Sequence, residues 1–388
     1  MTYPNKVLVV VALTIFIDTF IEGIIVPVFP IYVRELNASP LDLGIIFSMY
    51  PLALLVIAIP LGIISDQQGR KKIMVIGMVG LTLSTIAYAY AQSIVALAAI
   101  RFLQGAAAAA TWTIGPALVA DLYPPEKRGE KLGLAMIGMN FGFLIGPVAG
   151  GFLYDWGGYT LPFIVCAAMS TLVLLLVILI IKEPAKKEVV NKINYHEVAK
   201  NPLLLLGTGL VVVASIGLGF MDPLLPGYFA NKFGSTPGTI GLLFGAIAAS
   251  SMIAQPIFGR LSDQWGRIPL IIVGLITTAV VAPLLTYTTS ISATMLVMGL
   301  LGLTFGLIFA PSGPLLADAV MLENSTISYG AAFGMYNTGF SLGYLMGPLA
   351  GGAYVEVWNL TSLFFVYSSI LLLYTVIMIK AYRLTLNP

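Results

Sequence analysis

Pro60-Leu-Gly62-Ile-Ile-Ser-Asp66-Gln-Gln-Gly69-Arg70 recurs later in the chain as Pro256-Ile-Phe-Gly-Arg-Leu-Ser-Asp263-Gln-Trp-Gly266-Arg267, with one residue inserted. Two further pairs keep nearly the same spacing. Pro27-Val-Phe-Pro30-Ile-Tyr32 matches Pro223-Leu-Leu-Pro226-Gly-Tyr228, and Gly142-Phe-Leu-Ile-Gly146-Pro147-Val-Ala-Gly150-Gly151 matches Gly343-Tyr-Leu-Met-Gly347-Pro348-Leu-Ala-Gly351-Gly352. The chain is therefore read as a duplication, with halves at 1–181 and 203–388 joined by a lysine-rich linker at 182–202.

The solvent of the duplicated unit follows from composition. Of 388 residues, 59% are apolar and only 9% charged, against roughly 25% charged in soluble domains. Too few charges remain to cover a water-facing surface. Apolar runs reach the ~20 residues that cross a hydrocarbon core. Breaks between them define twelve spans, near 7–33, 41–64, 73–91, 94–120, 132–153, 161–181, 203–230, 238–261, 269–289, 291–320, 329–353 and 359–382. The expected fold is all-α, two six-helix bundles related about an axis along the membrane normal, with a substrate site between them near mid-membrane.

Orientation follows from the positive charges. With both termini inside, all but Arg34, Arg101 and Lys232 of the nineteen Lys and Arg residues fall on inside segments or inner helix ends, as the positive-inside rule requires. A multi-pass inner-membrane protein with cytoplasmic termini is expected. The first apolar run is too long for a signal peptide and carries two acids. The lone His196 and the lone Cys166 offer neither a metal set nor a disulfide, and no cofactor is expected. The net charge of +2 implies no nucleic-acid partner. An intramembrane enzyme would need a constellation such as HExxH, which the chain lacks.

The repeated block carries its own chemistry. Gly62 and Gly69 allow a tight turn and close helix approach. Asp66 and Arg70 can pair, with Asp121 at the inner end of span 4 as third member. The second half offers Asp263, Arg267 and Asp318. The functional reading is a cytoplasmic gate in the loops after spans 2 and 8; the alternative is a topogenic loop with a structural turn.

Charges inside the spans are functional candidates because each is expensive there unless paired or hydrated. Asp18 lies ~18 Å along span 1 from Lys6, near the midplane, with Glu22 one turn further on the same face. Arg101 lies ~10 Å below the outer surface in span 4, at the level of both acids. Asp222 falls near the outer rim of span 7. Proton coupling is expected at Asp18, Glu22, Arg101 and Asp222, a static ion pair being the alternative. Tyr50, Trp112, Asn140, Gln255, Phe309, Tyr336 and Asn337 are candidates, with Asp18, to line a substrate cavity, although each could serve packing alone.

The block Gly62-x3-Asp66-x2-Gly69-Arg70-Lys71-Lys72 resembles the signature loop of the major facilitator superfamily. Within it, Leu97-x3-Arg101-x2-Gln104-Gly105 and Gly133-x8-Gly142-x3-Gly146-Pro147-x2-Gly150-Gly151 resemble motifs of the twelve-helix drug:proton antiporters, the latter associated with antiport. Asp18-x8-Pro27-x2-Pro30, Met221-Asp222-Pro223 and Tyr329-Gly330 through Gly347-Pro348 resemble the vesicular amine transporters, which exchange protons for monoamines. The chain departs from those by Tyr50 in place of a lysine and by Phe309 and Asn337 in place of acids. The resemblance implies a monomeric, proton-coupled antiporter exporting lipophilic or cationic small molecules, closer to a multidrug exporter than to an amine carrier. A symporter or facilitator for sugars or organic acids is the alternative.

Overall fold

The computed structural model describes residues 2–183, 201–321 and 329–386. Among them are twelve helices: α1 (Tyr3–Glu35), α2 (Pro40–Gln68), α3 (Arg70–Tyr88), α4 (Ile94–Leu122), α5 (Pro125–Gly157), α6 (Thr160–Ile180), α7 (Pro202–Phe233), α8 (Pro237–Trp265), α9 (Arg267–Tyr287), α10 (Ile291–Met321), α11 (Tyr329–Val357) and α12 (Leu360–Leu386). Eleven are long and apolar enough to cross a membrane. Most of the expected 182–202 linker lies outside the described residues.

Helix ends follow polar capping rather than the limits of the apolar runs. Ser39 starts α2 with a reciprocal box, accepting from the Asp42 N–H at 3.1 Å while Asp42 Oδ2 accepts from its own N–H at 2.9 Å, and Pro40 follows where a missing N–H is harmless. Ser93 accepts from the Ala96 N–H to start α4. The loop expected after span 2 shrinks to one residue. Asp66 is still on α2, Arg70 already opens α3, and Gly69 alone turns the chain at φ +108°. Gly266 does the same before α9 at φ +90°, a conformation that penalises any Cβ.

By contacts the chain divides into two compact units, Met1–Val189 with Leu225–Gly245, and Val190–Leu224 with Ala246–Pro388. In the first, α1 is the buried axis, with Ile15, Ile17, Ile21, Ile24, Ile25 and Val28 wholly enclosed. Phe29 gathers Phe47, Tyr88 and Phe163 around it at 5.0–6.4 Å between ring centres. In the second, Phe220 meets Phe364 and Tyr367, each at 5.4 Å.

The glycine series on α5 is an interface with α1. A Cβ on Gly146 would stand 2.6 Å from the Phe20 carbonyl oxygen, and one on Gly150 2.8 Å from Ile24 Cα. Gly142 lies against Phe16 and Thr19 in the same row. Gly151 faces elsewhere, to the Pro237 carbonyl at the start of α8, and Gly241 reciprocates against the Pro147 carbonyl. The second unit repeats the device. Gly343 and Gly347 on α11 would meet the Val212 and Ile216 carbonyls of α7 at 2.3 and 2.4 Å. Lipid tails are as apolar as leucine, so close van der Waals approach is what holds such helices together.

Gly146→Ala and Gly343→Ala should each cost about 1–3 kcal/mol by overpacking a backbone contact, whereas Gly133→Ala, with open space around it, should cost little. Thermal unfolding of the purified variants in detergent reads this directly. Melting points for the first two equal to that of Gly133→Ala would refute the packing account.

Candidate functional site

Arg101 sits two turns into α4 and is 1% exposed. A guanidinium so placed needs a full counter-charge, and Glu22 on α1 supplies it in a two-pronged pair. Nη1 donates to Oε1 at 2.5 Å and Nη2 to Oε2 at 3.0 Å, the geometry that matches a planar fork to a carboxylate. Nη1 also donates to Gln104 Oε1 at 3.0 Å, and that oxygen receives the Tyr88 hydroxyl at 2.6 Å. The faces of the guanidinium meet the rings of Phe47 and Tyr50 at 5.4 and 5.0 Å, where cation–π attraction adds to the pairing.

Asp18, one turn along α1, has a different environment. It is wholly buried, and Oδ2 receives two neutral donors, the Tyr50 hydroxyl at 2.9 Å and the Trp112 indole N–H at 2.8 Å. Among the described residues, Oδ1 is buried without a hydrogen-bond partner. The two acids expected at one level with Arg101 are therefore sorted: Glu22 takes the guanidinium and Asp18 takes neutral donors. Tyr50 touches both systems, its ring on Arg101 and its hydroxyl on Asp18.

Asp222 is half-buried on α7, which continues to Phe233. It accepts a short hydrogen bond from the Tyr344 hydroxyl of α11. Tyr344 stacks on Phe340 at 5.5 Å, and Phe340 meets Phe309 at a tilt at 6.1 Å, forming an aromatic row in the second unit. Of the other cavity candidates, Asn140 is half-buried on α5, Asn337 is exposed on α11, Tyr336 packs on the small cluster of Leu204 and Leu316, and Gln255 donates to Ser251 at 3.5 Å.

Both charged trios form, each inside its own unit. Arg70 pairs with Asp121 at 2.5 Å and Asp66 at 3.2 Å. Arg267 pairs with Asp318 at 3.3 Å, receives Asp263 closely, and donates to Ser262 at 2.7 Å. The first trio thus ties together the end of α2, the start of α3 and the end of α4, with Gly62 near Thr113 of α4. Sequence reasoning missed Glu183, just past the end of α6, whose carboxylate accepts from the Arg70 and Lys71 backbone N–H groups at 2.6 and 3.1 Å. Tyr88 and Tyr344 were missed too, since a tyrosine among many in apolar runs gives no sign of which one meets a charge.

Duplicated helices long and apolar enough to cross a membrane define a multi-pass transporter rather than an enzyme. The chain belongs to the Major Facilitator Superfamily, whose profile matches residues 11–221 and again 207–386. It is 27% identical to a probable vesicular acetylcholine transporter-B of Danio rerio, over 90% of this chain and 73% of that one. It is 26% identical to the synaptic vesicular amine transporter of Rattus norvegicus, over 82% of this chain and 62% of the relative's length. The quinolone resistance protein NorA of Staphylococcus aureus (strain MSSA476) is 25% identical over 91% of both chains. In fold, it is similar to a bacterial homolog of the human lysosomal transporter Spinster in an inward-facing, occupied conformation, with TM-score 0.85, 17% identity, and 99% and 97% of the two chains covered. It is also similar to the nucleoside transporter NupG, with TM-score 0.79, 14% identity, and 99% and 100% covered.

Because Arg101 and Glu22 are buried together, removing either one strands the other. Glu22→Gln and Arg101→Gln should each destabilise by about 3–5 kcal/mol, and the double variant should recover most of the loss. Unfolding of the four proteins in mixed micelles completes the cycle. Singles within about 1 kcal/mol of wild type would mean that the pair is hydrated.

Proposed function

We propose that the protein is a proton-coupled antiporter that exports lipophilic or cationic small molecules by alternating access, with Asp18 as its principal proton site. The observation that carries this reading is the environment of Asp18: an enclosed carboxyl with two neutral donors on one oxygen and no partner on the other. Glu22 is committed to Arg101 and serves as a fixed counter-ion. Arg101 keeps its proton and acts only as a fixed charge.

Closing hydrocarbon around a neutral carboxyl is cheaper than enclosing an unpaired carboxylate. A proton entering from outside would therefore let the outer side close, and its release inward would leave an anion able to receive a cation. Linked binding then requires substrate and proton to weaken each other by the same factor. Asp222, held by Tyr344 beside the aromatic row of Phe309 and Phe340, is the second acid of this reading, and that row suits flat apolar cations. The vesicular acetylcholine and amine transporters and the quinolone resistance protein among the relatives support organic cations and drugs as the substrate class. The two trios fit a cytoplasmic gate, bracing α2–α3–α4 and α8–α9–α10 as the inner side opens and shuts. The reading includes an inner-membrane location, cytoplasmic termini and a monomer.

Asp18→Asn mimics permanent protonation. In proteoliposomes with an imposed proton gradient, it should abolish accumulation of a lipophilic cation such as ethidium while the protein remains folded, and residual ethidium binding should weaken and lose its pH dependence. Accumulation against the gradient with an unchanged pH profile would move the coupling site elsewhere, to Asp222 first.

A further inference from the structure

On the lipid-facing side of the first unit, α2, α3 and α4 enclose an open groove of about 560 Å³. Its floor is made of small residues. A Cβ on Gly77 would stand 2.3 Å from that of Ala110, and one on Gly80 3.1 Å from that of Ala107, so α3 and α4 touch there and leave a trough. Leu61 of α2 forms one wall, and the rim is apolar and open, with Leu83 60% and Leu103 61% exposed.

A second hollow, of about 490 Å³, adjoins it at the inner end of α3 and shares Ile76. Lys71, Lys72 and Glu183 line it. The Glu183 carboxylate is already taken up by two backbone N–H groups at the start of α3. Among the described residues, Lys71 Nζ gives one hydrogen bond, to the Ile178 carbonyl at 2.7 Å, and Lys72 Nζ makes only a long contact with Gln68 Oε1 at 3.4 Å. Since an ammonium has three donors, both keep donors to give, and two cations face one carboxylate whose oxygens are already held by backbone N–H groups.

We propose that this continuous surface is a binding site for one anionic phospholipid, its phosphate on Lys71 and Lys72 and one acyl chain in the groove between α2, α3 and α4. The dimensions agree. From Lys72 to Leu83 along α3 is roughly 17 Å, close to the ~15 Å depth of one leaflet's hydrocarbon. The chemistry agrees as well: a basic hollow at the membrane surface above an apolar trough recognises a negative headgroup, each lysine contributing roughly fivefold in affinity. A lipid held there would bear on Lys71 and Lys72, next to Arg70 of the first trio, and so on the inner ends of α2–α4.

Native mass spectrometry of the full-length protein, released from detergent after titration with phosphatidylglycerol or phosphatidylcholine, tests this. The wild type should retain one phosphatidylglycerol in roughly 25-fold preference. Lys71→Gln/Lys72→Gln should bring that preference near unity, while Lys127→Gln/Lys131→Gln, on another inside segment, should leave it intact. Ala106→Phe, which fills the groove, should reduce retention of both lipids. Equal retention of the two lipids by the wild type would overturn the proposal, as would a preference unchanged in the Lys71/Lys72 variant or lost equally in the Lys127/Lys131 variant. A lipid-free dimer that Ala106→Phe converts to monomer would assign the groove to a second copy of the chain instead.

Discussion

A guanidinium enclosed among hydrocarbon helices has to be met by a carboxylate, and the first unit is organised around meeting that demand. Arg101 cannot lose its proton, so Glu22 must face it, and the two-pronged pair locks the rotation of α1 against α4. Everything nearby follows. Gln104 Oε1 accepts from both Arg101 Nη1 and the Tyr88 hydroxyl, the rings of Phe47 and Tyr50 lie against the cation, and one turn away on α1 Asp18 meets Tyr50 and Trp112. One buried charge pair thus leaves a second acid beside it whose oxygens are unequally satisfied.

That arrangement depends on α1 being held closely from its other side. The α5 glycines do this by removing side chains wherever the two backbones meet, and the row on α11 does it for α7. The stripe associated with antiport is therefore also the seat of the helix that carries both acids. A change in its packing would alter the position of Asp18 without touching it.

The repeat, the twelve helices and both charged trios were legible in the sequence because each rests on local spacing: apolar run length, a turn glycine, an acid and a base four residues apart. That Asp18, Glu22 and Arg101 come near one another was legible too, from rise per residue. Their partners were not. Asp18 and Glu22 share a face of α1, and spacing along one helix says nothing of the rotation of another, so which acid takes Arg101 is settled only by tertiary packing. The same limit hid Glu183, an acid far along the chain that completes the start of α3, and Tyr344 against Asp222. Helix ends ran past the apolar runs because capping and backbone hydrogen bonding, not hydropathy, decide where a helix stops.

The central claim is a division of labour, with Glu22 fixed as the counter-ion of Arg101 and Asp18 free to exchange a proton. Infrared difference spectroscopy of the purified protein between acid and alkaline pH observes the carboxyl stretch directly, without a substrate. The account predicts a protonated-carboxyl band that titrates in the wild type, persists in Glu22→Gln and is lost in Asp18→Asn. A band that survives in Asp18→Asn and vanishes in Glu22→Gln would reverse the assignment and contradict the account.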